Sequence, residues 1–119
     1  MIRGRIENDN GESLINQVSR TESVWERMRG LLARPALSES EALWITPCNS
    51  VHSFFMQYSL DLVYLNRRQA VVKVVTDLPP GRFSAALGAH SVVELASGAV
   101  ETLGISVGTQ LVWRPCGAG

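Results

Sequence analysis

Residues 60–78 read LDLVYLNRRQAVVKVVTDL, and this stretch decides the fold reading. Two β-rich runs, Leu60–Asn66 and Ala70–Leu78, flank the short polar turn Arg67-Arg68-Gln69, a spacing that predicts an antiparallel hairpin. Pro79-Pro80-Gly81 ends its second arm. Working outward, Ala42–Thr46 (closed by Pro47), Ser91–Ala96 and Thr109–Arg114 read as further short strands. Ser84–His90 is small and glycine-containing and reads as loop. Gly98–Leu103 has the length of one helical turn ended by Gly104, with Gly104-Ile105-Ser106-Val107-Gly108 a structural corner and Ile105 and Val107 plugging the end of the barrel.

The polar N-terminus carries the turn signal Asn8-Asp9-Asn10-Gly11. Residues 1–12 and 115–119 are expected to be loose, a hairpin of 1–12 with Leu14–Arg20 being the alternative. Ser23-Val24-Trp25-Glu26 has the capping-box pattern. Val24, Trp25, Met28, Leu31 and Leu32 then form one apolar helical stripe, and Pro35 stops it. Together these elements predict an α+β class: a mostly antiparallel curled sheet or small β-barrel, with one main helix packed on it. The 119 residues are a single-domain length, able to bury roughly two-thirds of the unfolded surface.

Eleven basic and eleven acidic residues cancel, so no net field favours DNA, RNA or an anionic membrane. Neither nucleic acid nor membrane is expected as a partner. No apolar run has the length of a signal-peptide core or a membrane span, which predicts a soluble, cytoplasmic protein. Two cysteines, Cys48 and Cys116, make no disulfide framework. No glycine-rich phosphate loop appears, no cofactor is expected, and no spacing supports a metal centre. A monomer or weak homodimer is expected.

Several landmarks stand in a recognisable order. They are Arg29-Gly30-Leu31-Leu32 with Arg34 and Leu37; Cys48, Val51-His52 and Phe55-Met56; and Leu60-Asp61-Leu62-Val63-Tyr64-Leu65. Val71-Val72 with Pro80, Val93-Glu94-Leu95 with Gly98, and Gly104-Ile105 with Gly108 follow. In this order the chain resembles domain-of-unknown-function family 192 over about residues 20–113. That family has a GLM-type helix end, an H-[ST]-x-x-M segment, an I-D-V-x-F-L strand and an E-L-x-x-G strand end. Leu32 stands where the family prefers methionine, and Thr109 where it often has aspartate. The resemblance implies a compact, mostly β domain carrying a helix; it implies no activity.

The candidate site lies at the approach to the first arm of the hairpin. His52, Phe54 and Met56 would share one face of an extended segment, with Phe55 opposite. Asp61 opens an otherwise apolar strand face, and Glu94 does the same between Val92 and Ala96. Burying either carboxylate costs several kcal/mol unless arginine, histidine, Lys73, backbone amides or water compensate it. The leading expectation is a pocket lined by His52, Phe54, Met56, Asp61 and Glu94 that binds a small molecule or peptide. The rival is a hydrolase- or transferase-like enzyme using His52, Asp61 and Cys48 as base, orienter and nucleophile. A third reading makes these groups structural in an accessory protein. His90 falls on a loop remote in sequence from Cys48. Trp25, Trp44 and Trp113 read as packing residues.

Overall fold

The computed structural model describes residues 2–21, 36–54 and 56–116. The capping box, the apolar helical stripe with Trp25, and Phe55 lie outside the described residues.

Among the described residues, nine strands and one short helix follow in chain order: β1 (Ile2–Asn8), β2 (Ser13–Thr21), β3 (Glu41–Ile45), β4 (Ser50–His52), β5 (Leu60–Leu65), β6 (Val71–Leu78), β7 (Phe83–Ala85), β8 (Ser91–Ala96), α1 (Ala99–Leu103) and β9 (Leu111–Pro115). Seven strands build one sheet in the order β6-β5-β8-β3-β2-β1-β9, while β4 and β7 form a separate two-stranded ribbon. The β5–β6 hairpin is antiparallel, and Gln69 takes φ 64° in its turn. Asn66 sets that turn, its Oδ1 accepting from the N–H groups of Arg68 and Ala70. Strands β2 and β3 pair in parallel, which demands the long crossover between residues 21 and 41.

Residues 2–8 are not loose. Gly4 and Ile6 of β1 pair with β2 on one side and with β9 on the other. Ile6 and Ile15 bring apolar side chains that the sheet buries, and Asn8 Oδ1 closes the turn by accepting from the N–H groups of Asn10 and Glu12. Cys116 is also tied down, its N–H donating to the Arg3 carbonyl at 2.8 Å. The polar composition of 1–12 reflects a strand with one wet face rather than an absence of structure.

The sheet curls without closing into a barrel. Its edges β6 and β9 share no ladder: they approach at their ends, at the bridge Ala70–Gln110 and through hydrogen bonds beside it, while β9 makes its ladder with β1. The Gly104–Gly108 corner brings them that close. Gly104 (φ 68°) caps α1 and Gly108 (φ 95°) donates to the Val71 carbonyl. Ile105 is buried there as expected, but Val107 is 66% exposed and plugs nothing.

Two apolar layers cover the sheet. On one face Ile6, Ile15, Val18, Trp44, Val63, Leu65, Val93 and Leu95 pack with Val100 of α1. On the other, Leu62, Tyr64 and Val92 pack under Val51 of the β4–β7 ribbon and Ala86, the residue after β7. Strand β5 is buried at every position, covered on both sides. Trp44 and Trp113 pack with ring centroids 5.8 Å apart, and the Arg20 guanidinium lies 5.6 Å from each ring.

Candidate functional site

Along β5 side chains alternate between the two faces, so the residue next to a core leucine points the other way. Asp61 therefore faces the α1 side. It is fully buried and accepts three backbone hydrogen bonds: from Asp77 N–H at 2.8 Å on Oδ1, and from Gly98 N–H at 3.1 Å and Val100 N–H at 3.0 Å on Oδ2. Gly98 has no side chain with which to cap α1, so β5 supplies the cap from across the fold. The same carboxylate holds Asp77 in its φ 54° conformation at the irregularity in β6.

Glu94 is also fully buried, but it lies on the opposite face. The register pairs Leu62 with Glu94 and Asp61 with Leu95, and neighbours in register share a face. The two carboxylates of the expected pocket thus sit on opposite sides of the central sheet. Met56 is directed into an apolar cluster with Leu37 and Leu60. Its direction follows from a turn at Ser53–Met56, where Met56 N–H donates to the Ser53 carbonyl, so the segment is not extended beyond His52.

His52 and Phe54 do come together. Their rings stack at 5.1 Å with an interplanar angle of 24°, on the solvent side of the ribbon. Phe83 stands opposite His52 in the ribbon register and is 67% exposed, and Phe54 is 46% exposed. Val51 and Ser84 point inward, the latter accepting from the Tyr64 hydroxyl at 2.8 Å. Hydrogen bonds at Asn49–Ala86 and Ser53–Arg82 bracket the ladder, which makes His52–Phe83 a non-hydrogen-bonded pair with close side chains. It also turns the main-chain groups of His52 toward the outer edge of β4. Further along the ribbon, the outward carbonyls are engaged. Ser50 O accepts from the Cys48 thiol at 3.0 Å, and Ala85 O from Lys73 Nζ at 2.7 Å.

Ser53 is the pin of this surface. It is fully buried, donates its hydroxyl to the Pro79 carbonyl at 2.6 Å, and accepts from Arg82 N–H at 2.9 Å. Sequence reasoning passed over Ser53, Tyr64 and Phe83. A lone serine in an apolar run was the available signal for the first, since a buried hydroxyl there needs backbone partners. Phe83 was hidden by its neighbours, because it falls between the Pro79-Pro80-Gly81 stop and Ser84–His90, whose small residues and glycine read as loop. Strand β7 (Phe83–Ala85) instead begins there.

No hydrogen bond or ring contact joins Cys48, His52 and Asp61, whose partners are respectively a carbonyl, a phenyl ring and backbone amides. Both cysteines are free, Cys48 half-buried and Cys116 exposed. His90 is near Cys48 in space, its carbonyl accepting from Cys48 N–H at 2.9 Å. Among the described residues no group of three His, Cys, Asp or Glu side chains has the geometry of a metal site. Nor is any described helix long and apolar enough to cross a membrane.

The fold is shared with two crystal structures. One is a candidate transcription regulator from Sinorhizobium meliloti 1021, with TM-score 0.78, 18% identity, and coverage of 94% of this chain and 92% of that one. The other is a protein of unknown function from Novosphingobium aromaticivorans DSM 12444, with TM-score 0.73, 20% identity, and coverage of 93% and 84%. In sequence, the chain is 25% identical to a UPF0127 protein of Thermococcus sibiricus over 109 residues, 87% of this chain and 70% of that protein. It is 38% identical to the UPF0127 protein PF1050 of Pyrococcus furiosus over 66 residues, 55% of this chain and 56% of that protein. The family model "Uncharacterized ACR, COG1430" matches residues 5–113, and the chain therefore belongs to domain-of-unknown-function family 192.

Proposed function

We propose that this chain is a binding module that takes an extended peptide segment along the β4–β7 ribbon, with His52, Phe54 and Phe83 as its contact face. The observation that carries this reading is the exposed cross-strand pair His52–Phe83 with Phe54 stacked on the histidine. Large aromatics left in water on a fixed surface are the usual anchors of recognition. A peptide suits the site better than a compact small molecule, because both ribbon strands are edges and β4 turns main-chain groups of His52 outward. Side chains at alternate positions of an added strand would then fall on the aromatic face.

Covering about 100 Å² of each phenylalanine contributes about 2.5 kcal/mol apiece, enough to set affinity in a small interface. Rigidity adds to this. Ser53 and the Tyr64–Ser84 bond hold the ribbon in place before a ligand arrives, so little ordering cost remains. Asp61 belongs to the scaffold in this account, through the α1 cap. The balanced charge of the chain gives no reason to propose a polyanion or membrane partner, and the two free thiols suit a reducing cytoplasm.

Selection of displayed random peptides on the immobilised wild-type protein tests the reading. Enriched sequences should carry apolar or aromatic residues at alternate positions and should be lost on a Phe54→Ser, Phe83→Ser double variant. Enrichment that survives the double substitution, or none at all, contradicts the proposed surface.

A further inference from the structure

A second surface lies at the other end of β5 from Asp61, and it goes beyond the peptide reading. The β5–β6 turn and the β7–β8 loop enclose an open depression of about 430 Å³ lined by Asn66, Arg67, Arg68, Gly88, Ala89 and His90. A smaller depression, lined by Pro47, Cys48 and Asn49, shares Ala89 and His90 with it. No carboxylate lines either one. Arg67 and Arg68 are exposed, and among the described residues neither makes an ion pair.

Both walls are fixed by backbone hydrogen bonds. Asn66 Oδ1 accepts from Arg68 and Ala70 N–H, while the Arg68 carbonyl accepts from Gln110 Nε2 at 2.7 Å and the Gln69 carbonyl from Leu111 N–H at 3.0 Å. Across the gap, His90 N–H donates to the Leu65 carbonyl at 2.7 Å and its own carbonyl accepts from Cys48 N–H. Gly88 takes φ 78°, which lets the loop backbone turn beside the arginines without a side chain in the way. We propose that Arg67, Arg68 and His90 form a binding site for a small anion bearing two or more carboxylate or phosphate groups. Two adjacent guanidinium forks match paired anionic oxygens, and the imidazole with the Asn66 amide supplies further polar contacts at the rim.

The test is calorimetric titration of the wild-type protein with citrate and, separately, inorganic pyrophosphate at low ionic strength, where exposed charges are least screened. Saturable binding of at least one probe is expected, and the probe that binds more tightly identifies carboxylate or phosphate as the natural group. An Arg67→Ser, Arg68→Ser double variant should bind about tenfold or more weakly. Amide shifts on titration should centre on Arg68, Gly88 and His90 of the wild-type protein, a readout that does not depend on how the variant folds. Absence of saturable binding, equal affinity in the folded double variant, or shifts centred elsewhere overturns the assignment.

Discussion

Asp61 on β5 accepts the Val100 N–H of α1 at 3.0 Å, so a strand carboxylate caps a helix 39 residues further along the chain. The five-residue α1 follows Gly98 as its N-cap residue and has no side-chain cap of its own. A helix so short is not stable alone, and its position rests on Asp61 and on burial of Ala99 and Val100. Asp61→Ala leaves three amides without their acceptor and should cost about 3 kcal/mol or more in urea unfolding. Asp61→Asn keeps part of the acceptor and should cost less. An Asp61→Ala protein with unchanged stability but altered binding would move this residue from scaffold to site.

Gly4 is required by close approach rather than by its backbone angles. A Cβ at that position would clash with the Arg114 carbonyl and stand 2.7 Å from Trp113 Cη2 on the facing strand. Gly4→Ala should separate β1 from β9 and destabilise by about 1–3 kcal/mol, with faster amide exchange in β9. Normal exchange at Trp113 in the variant would refute the packing described here.

Glu7 joins the same two strands, accepting from Arg5 Nε at 2.7 Å and from Arg114 Nε at 3.1 Å. The Arg5 hydrogen bond, then that of Arg114, holds its pKa below the ordinary 4.5, against a smaller opposing effect of burial. A folded-state value below the unfolded one stabilises the fold above the unfolded pKa, and the contribution disappears as pH falls through the folded value. Both arginines are more than half exposed, so the effect is screened by salt. Stability of the wild type relative to Glu7→Gln should therefore decline as pH falls below the ordinary 4.5, and the decline should shrink in high salt. Parallel pH profiles for the two proteins would contradict the assignment.

Tyr64 ties the ribbon to the sheet through Ser84 at 2.8 Å. Tyr64→Phe leaves the inward Ser84 hydroxyl without that partner and should cost about 1 kcal/mol, with loss of amide protection at Val51 and Ser84 before the central strands open. Uniform loss of protection across β5 and β8 would mean that the ribbon is not a separately anchored unit.

The hairpin and the central strands were legible because their β-branched and apolar runs are bounded by Asn66–Gln69 and Pro79–Gly81, turn chemistry that acts locally. The ribbon was not, since Ser50–His52 and Phe83–Ala85 are three residues each, and their pairing joins segments far apart in the chain that carry no local signal. At the site, His52 with Phe54 could be read from side-chain spacing alone. The separation of Asp61 from Glu94 could not, because it depends on the Asp61–Leu95 register, a property of pairing between distant strands. Met56 escaped the expected face because the buried Ser53 turns the chain.

The most direct measurement of the central claim is amide shift mapping of the wild-type protein with a peptide enriched on it. The account predicts that the largest shifts fall at Ser50, His52, Phe54 and Phe83, with protection gained at the His52 amide on the outer edge of β4. It also predicts that Phe83→Ser weakens binding about tenfold or more while leaving the β5 and β8 amides unmoved. Shifts confined to α1 around Asp61, or to the Arg3–Cys116 end of the sheet, with the ribbon silent, would contradict it.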